Sequence, residues 1–235
     1  MSFIAIICGL KSEGAVVRAA LSAAGVHADK FRLGVSGADA ACAEDLARKA
    51  CNAGAGAVLS VGVSGGLDPA LRPGDLVIGE TVISDNDGRH FDADLYLMRA
   101  LATAIPAGAK TATLFGADTI IASAAHKSAL FKNHGCVAVD MESHGAARAA
   151  QGAKVPFIAI RAIADPADRA LPRAALGAVA PDGSTKIIST LIECAKRPAE
   201  FPELLQLGRD SDAALKTLRR DFGRLFAALL LSLDL

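Results

Sequence analysis

Tryptophan is absent from the 235 residues, tyrosine occurs once, and aromatic residues make up only 4% of the chain. Stacking platforms for single-stranded nucleic acid are built from such side chains, so that class of function is disfavoured. An excess of positive charge is also missing. The 25 Lys and Arg residues balance 25 Asp and Glu, which leaves no basic footprint for a nucleic-acid partner. The five cysteines, Cys8, Cys42, Cys51, Cys136 and Cys194, include no CxxC pair. That excludes a secreted disulfide framework and fits reduced thiols in a cytoplasm, serving as small buried hydrophobes. Neither HExxH nor a paired Cys/His spacing occurs, so no metal site is expected. No apolar run reaches the length of a membrane span, including the terminal LFAALLLSLDL. The first residues, MSFIAIICGLKSEG, lack a positive n-region and turn polar at Lys11. They read as a first strand rather than a signal peptide.

What is present is apolar residue in quantity, 52% of the chain, enough for one compact domain with a large core. Short apolar runs near Phe3, Phe31, Ala57, Asp75, Thr111, Val137 and Pro156 read as strands. Between them, helices are expected over Glu13–Ala24, Ala38–Ala53, Asp92–Ala104, Ala124–Asn133, Ser143–Gln151 and Lys186–Lys196. Strands buried on both faces and alternating with helices imply an α/β fold around a mixed, largely parallel sheet. Ligands in such folds bind at the carboxyl ends of strands. A composition break, KRPAEFPE, separates this domain (1–196) from a helical C-terminal extension (197–235).

Four stretches carry candidate chemistry. In VAVDMESHG a buried strand runs into Asp140, Met141 and Glu142, and two carboxylates around a thioether are a poor strand end for stability alone. In VGVSGGLDPALRPGD a strand runs into Ser64, Gly65 and Gly66. This is either a plain tight turn or a place where backbone approaches a ligand, because glycine has no Cβ to obstruct it. It is not GxGxxG, which disfavours a dinucleotide site. Its likeness to the GxSxG elbow fails because a Pro-broken loop follows where that motif needs a helix. In FIAIRAIADPAD, Asp165 follows an apolar strand and precedes Pro166. It either organises a turn or, half-buried with a raised pKa, acts as a general acid. Glu13, just past the first strand, either serves its helix N-terminus, through the dipole or capping by Ser12, or faces the same sheet edge as Glu142 and Asp165. The histidines offer less: Asp92 in GRHFDADLYL is expected to cap the next helix rather than bind metal with His90.

Taken in order, Glu13, GVSGGLDPALRPGDLV, VDMES and RAIADPAD resemble the purine nucleoside phosphorylase and nucleosidase superfamily, over roughly Phe3 to Lys196. The longer stretches VDMESHGAARAA and ADPADRALPRAAL, and the tail, are most similar to its hopanoid-associated phosphorylase branch, assigned the removal of adenine from adenosylhopane. The resemblance implies a three-layer fold and a role for each residue. Met141 would pack beneath the ribose and Glu142 would accept hydrogen bonds from its 2′ and 3′ hydroxyls. Asp165 would protonate N7 of the departing adenine, Glu13 would orient the attacking water, and Gly65 and Gly66 would line the ribosyl side. Ser64, Asp140 and Ile120 complete the expected substrate contacts.

The chain departs from the pattern in four places. Val63 and Ala164 replace serines, Ile120 stands where relatives place an aromatic, and Asp140 replaces a glutamate. No cofactor is implied. Phosphate stays open as co-substrate, because Lys11, Arg18 or Arg161 could attract it. The expected activity is N-glycosidic cleavage of an adenosyl nucleoside, with adenosylhopane first. Methylthioadenosine or adenosylhomocysteine nucleosidase, or purine nucleoside phosphorylase, is the alternative in the same chemistry. A non-catalytic nucleoside-binding module is the rival from another class, and a dinucleotide oxidoreductase is more distant. A cytoplasmic homo-oligomer is expected.

In the tail, Leu215, Leu218, Phe222, Leu225, Phe226, Leu229, Leu230 and Leu233 recur at helical spacing, with Lys216, Arg219, Arg220 and Arg224 among the remainder. The stripe either packs on the protein or lies on the inner membrane face beside a lipid-linked substrate.

Overall fold

The structure, a computed structural model, describes residues 2–176, 179–185 and 198–233. Strand β1 (Phe3–Cys8) is apolar at every position and buried throughout. Side chains alternate across a strand, so one chemistry at all six positions means that both faces are covered. Ile4, Ile6 and Cys8 join one core, and Phe3, Ala5 and Ile7 join another on the opposite face. The sheet continues with β2 (Phe31–Val35), β3 (Ala55–Gly66), β4 (Leu76–Ser84), β5 (His90–Asp92), β6 (Lys110–Gly116), β7 (Ala138–Asp140) and β8 (Phe157–Asp165). Pairings β1/β2, β1/β3, β3/β8, β4/β6 and β6/β7 are parallel, whereas β3/β7, β4/β5 and β4/β8 are antiparallel. The pairings β3–β8–β4–β6–β7–β3 close on themselves. The expected mixed sheet is present, and it is wrapped rather than flat.

Helices α1 (Lys11–Ala23), α3 (Leu95–Ala102) and α6 (Phe201–Ser232) contribute to one core, and α2 (Ala40–Asn52) and α5 (Ser143–Ala153) to the other. Helix α4 (Ala124–His134) follows β6. The helix expected at Lys186–Lys196 lies outside the described residues. Helix α3 starts later than its sequence pattern suggests. Its cap is Asp94, which accepts from the Tyr96 and Leu97 N–H groups, and not Asp92. Asp92 is instead in β5, where it accepts the Thr81 hydroxyl at 2.9 Å.

A second correction concerns Ser64-Gly65-Gly66. These residues form no turn but the last part of β3, where Gly65 and Gly66 pair with Val139 and Ala138 of β7.

The tail also has a different fate from the membrane helix considered above. Leu218, Phe222, Leu225, Phe226 and Leu229 are fully buried in the core shared with α1 and α3. Phe226 meets Phe31 edge-on at 6.1 Å between ring centroids. A Cβ added to Gly223 would come within 2.7 Å of the Ala20 carbonyl oxygen, so α6 and α1 touch backbone to backbone. Each buried side chain contributes about 1.5–3 kcal/mol, and a bilayer would need these same groups. On the exposed side of α6, Lys216 pairs with Asp212, and Arg220 and Arg224 pair with Asp221. No helix among the described residues is long and apolar enough to cross a membrane. Phe226→Ala should therefore cost about 3–5 kcal/mol. We expect its thermal midpoint, followed by circular dichroism, to fall by roughly 10 °C. An unchanged midpoint would detach α6 from the core.

Candidate active site

Strands β1, β3, β7 and β8 end around one cavity of about 340 Å³. Its wall includes Glu13, Ser64, Gly65, Ile120, Asp140, Met141, Glu142 and Asp165. The sequence motifs, spread over more than 150 residues, thus converge. Gly66 does not line the cavity, because strand pairing turns it towards the Asp165 carbonyl and Ala167. Leu10, Thr119, Ile121, Leu171, Ala175 and Val179 complete much of the wall and were not singled out from the sequence.

Glu13 does both things its position allows. One oxygen accepts the Leu10 N–H at 2.8 Å, so Glu13 helps to satisfy the start of α1. The other accepts the Val63 N–H of β3 at 2.7 Å. Ser12 is not the cap; Leu10 holds that position. A carboxylate has about four acceptor sites, so these bonds leave Glu13 capacity for a ligand. Burial raises the Glu13 pKa against the pull of these N–H groups and of Arg161. Two glycines make room for the acids. A Cβ on Gly62 would lie 2.8 Å from a Glu13 oxygen, and one on Gly9 would overlap the Glu142 carboxyl group. Both sit in the stretches CGLKSEG and VGVSGG, where a glycine beside a strand-end carboxylate was the available signal.

Asp140 is held by several neighbours. One oxygen accepts the Glu142 and Ser143 N–H groups at 2.9 and 2.7 Å. The other accepts the Ser143 hydroxyl at 2.7 Å and pairs with the Arg161 Nε at 3.1 Å. Three hydrogen bonds and an ion pair thus engage Asp140, which holds Glu142, Ser143 and Arg161 in place as well as lining the cavity. Burial pushes its pKa up, but Arg161 and Ser143 outweigh burial and hold it at about 2.

Glu142 is the opposite case. Burial and then the Asp140 charge push it up to about 8, against the attraction of Arg161. The Arg161 guanidinium, 3.5 Å away, is shared with Ser60, Ser143 and the Ile160 carbonyl. Glu142 therefore lies in the wall with acceptor capacity to spare.

At the other end, Asp165 ends β8 with its carboxyl group against Gly65. Burial raises its pKa, and the ammonium of Lys127, hydrogen-bonded to it, opposes the rise. Sequence reasoning missed Lys127. The available signal was its place one turn before Leu130 and Phe131 on an apolar face of α4. The Ser64 hydroxyl is buried in the wall without a hydrogen-bond partner among the described residues. Ile120 is 44% exposed. Met141 lies beyond the end of β7 rather than within it, between the two acids. Among the described residues no three His, Cys, Asp or Glu side chains are grouped to hold a metal ion.

The geometry can accordingly present carboxyl groups to a developing cation at one end and an acid to a leaving group at the other. The fold recurs in solved nucleosidases. A methylthioadenosine/adenosylhomocysteine nucleosidase from Neisseria meningitidis, in complex with methylthio-immucillin-A, superimposes with a TM-score of 0.65 at 20% identity, over 95% of this chain and 99% of that one. The corresponding enzyme from Colwellia psychrerythraea, in complex with adenine, gives 0.68 at 20% identity, over 99% and 96%. Futalosine hydrolase from Helicobacter pylori gives 0.68 at 16% identity, over 96% and 97%. No curated protein sequence matches the chain. The family model of the phosphorylase superfamily matches residues 14–196, which include three of the four motif regions and most of the cavity wall. The chain belongs to the phosphorylase superfamily.

Proposed function

We propose that this protein is a nucleosidase that releases adenine from an adenosyl nucleoside by attack of water. The observation that carries this reading is the set of carboxyl groups in the cavity wall. Glu13, Asp140, Glu142 and Asp165 line it, and no Lys or Arg does among the described residues. Such a wall suits a sugar that gains cationic character as its bond to the base breaks. It offers a phosphate dianion no cation among the described residues. The three cations considered for phosphate are otherwise placed. Lys11 pairs with Asp182 at 2.6 Å, Arg18 is exposed on α1, and Arg161 is consumed within its buried network.

In this reading Glu142 accepts the ribose hydroxyls and Met141 packs against the sugar. Water held by Glu13 attacks the anomeric carbon and gives a proton to that carboxylate. The glycosidic electron pair leaves with the base, and Asp165 delivers a proton to N7. The unpartnered Ser64 hydroxyl is free for the substrate. Atoms balance without a cofactor. Futalosine hydrolase and the methylthioadenosine/adenosylhomocysteine nucleosidases named above share the fold and support the reaction class.

For the 5′ substituent we propose a hydrocarbon, with adenosylhopane as the substrate. Its support is the apolar remainder of the wall, Leu10, Ile120, Ile121, Leu171 and Val179, together with the sequence resemblance. Methylthioadenosine fits the same wall with less apolar contact. Mass analysis of products from adenosylhopane and from methylthioadenosine, with and without phosphate, tests both parts. Adenine and free sugar are expected at equal rates in either buffer. Strict dependence on phosphate, with a sugar 1-phosphate as product, would replace water by phosphate. Turnover of methylthioadenosine alone would remove the hydrocarbon assignment.

A further inference from the structure

Lys127 is fully buried, although α4 on which it sits leads from an exposed stretch. A buried ammonium is costly unless each of its three protons finds an acceptor. Here all three do: the Asp165 Oδ2, the Pro166 carbonyl at 2.9 Å and the Arg169 carbonyl at 3.0 Å. A structural lysine could be satisfied by carbonyls alone. This one spends a bond on the carboxyl group that faces the cavity.

We propose that Lys127 is a positioning residue for Asp165: it anchors Oδ2, leaves Oδ1 for the base, and helps the group to give up its proton. The inference rests on the general-acid role assigned to Asp165 above. An acid in a dry wall is driven towards permanent protonation, and a carboxyl group that never gives up its proton catalyses poorly. An ammonium in hydrogen-bond contact counters that drive by about 1–3 pKa units.

The other charged groups around Asp165 are Arg169, on the segment after β8, and Asp210 of α6. These two form an ion pair with each other, which lessens the net effect of either. From the remaining sides β3 presents Gly65 and β7 presents Val139, neither of which titrates. Lys127 is thus the one charge in direct contact with the carboxyl group among the described residues.

The test follows the Asp165 carboxyl carbon by NMR through a pH titration, with Asp165→Asn to assign the resonance. In Lys127→Met the midpoint should rise by about 1–3 units, and turnover of methylthioadenosine or adenosylhopane should fall at least tenfold. If the methionine variant does not fold, Lys127→Gln keeps N–H donors for the two carbonyls but not the charge, and the same rise is expected. An unchanged midpoint in a folded variant overturns the inference and leaves the function untouched. Full turnover by Asp165→Asn would instead overturn the acid role itself, and the positioning role with it.

Discussion

Asp165→Asn is expected to lower the rate of adenine release by about 10²–10⁴-fold, the usual contribution of a general acid. The substitution keeps the shape of the side chain and its place against Gly65, and removes only the proton it can deliver. Because Lys127 would then face a neutral amide, part of the loss could be blamed on a weakened fold. Leaving a buried charge without its partner costs about 3–5 kcal/mol in typical cases. Two measurements separate the causes. The thermal midpoint establishes that the assay temperature lies in the folded range. A riboside of p-nitrophenol, whose leaving group departs as an anion without protonation, should be cleaved by Asp165→Asn at nearly the parental rate. Near-parental release of adenine by the variant would take Asp165 out of the mechanism. Equal losses on both substrates would reassign it to structure.

The parts of this site that could be read from sequence are those where local chemistry conflicts with local structure. Asp165 ends a strand that is apolar except for Arg161, Glu142 stands two residues past the end of β7, and a carboxyl group in either place needs a reason. The strands were legible for the same kind of cause: β1 and β8 are buried on both faces and so contain no polar alternation. What could not be read depends on partners distant in the chain. Arg161 looks like a stray cation in an apolar strand until Asp140 and Ser143 are brought to it by β7 and α5. Lys127 finds Asp165 across 38 residues.

The turn expected at Gly65 and Gly66, from glycine's freedom in turns as the stronger prior, is a strand end; glycine's small size, the other reading, is what matters inside β3. The partners of Asp140 were not legible either: it lines the cavity, but its bonds to Ser143 and its ion pair with Arg161 appear only once β7, α5 and β8 are assembled. The amphipathic tail posed a choice that sequence periodicity cannot make, since a stripe that fits a membrane fits a protein core equally well.

Glu142→Gln should make the protein less active and more stable. Above about pH 8, where the Glu142 carboxyl group is ionised, the activity loss follows from replacing an ionised acceptor by a neutral one under two ribose hydroxyls. Hydrogen bonds to charged groups are worth about 1.5–3 kcal/mol each, so kcat/KM should fall about 10²–10⁴-fold. A 2′-deoxy substrate, which lacks one of the hydroxyls, should lose less. The stability gain follows from linkage. The Glu142 pKa is raised in the folded protein from its ordinary 4.5 to about 8. Between those values the folded state holds a proton that the unfolded state has released, so stability falls as pH rises through this window and levels off above 8. Glutamine removes the dependence. The advantage of the variant should therefore be small near pH 4.5, grow across the window and be greatest above pH 8. Asp140 keeps Arg161 paired in its absence, so no buried cation is stranded. Shared among Asp140, Glu142 and Arg161, the effect should surface as about 2 kcal/mol, or roughly 4–8 °C in thermal midpoint. Calorimetry of both proteins from pH 5 to pH 9 is the measurement. A constant difference across that range would mean that Glu142 is ionised throughout. A growing advantage for the parent would mean that its carboxylate stabilises the fold, and the tension between binding sugar and holding the protein together would have to be placed elsewhere in the wall.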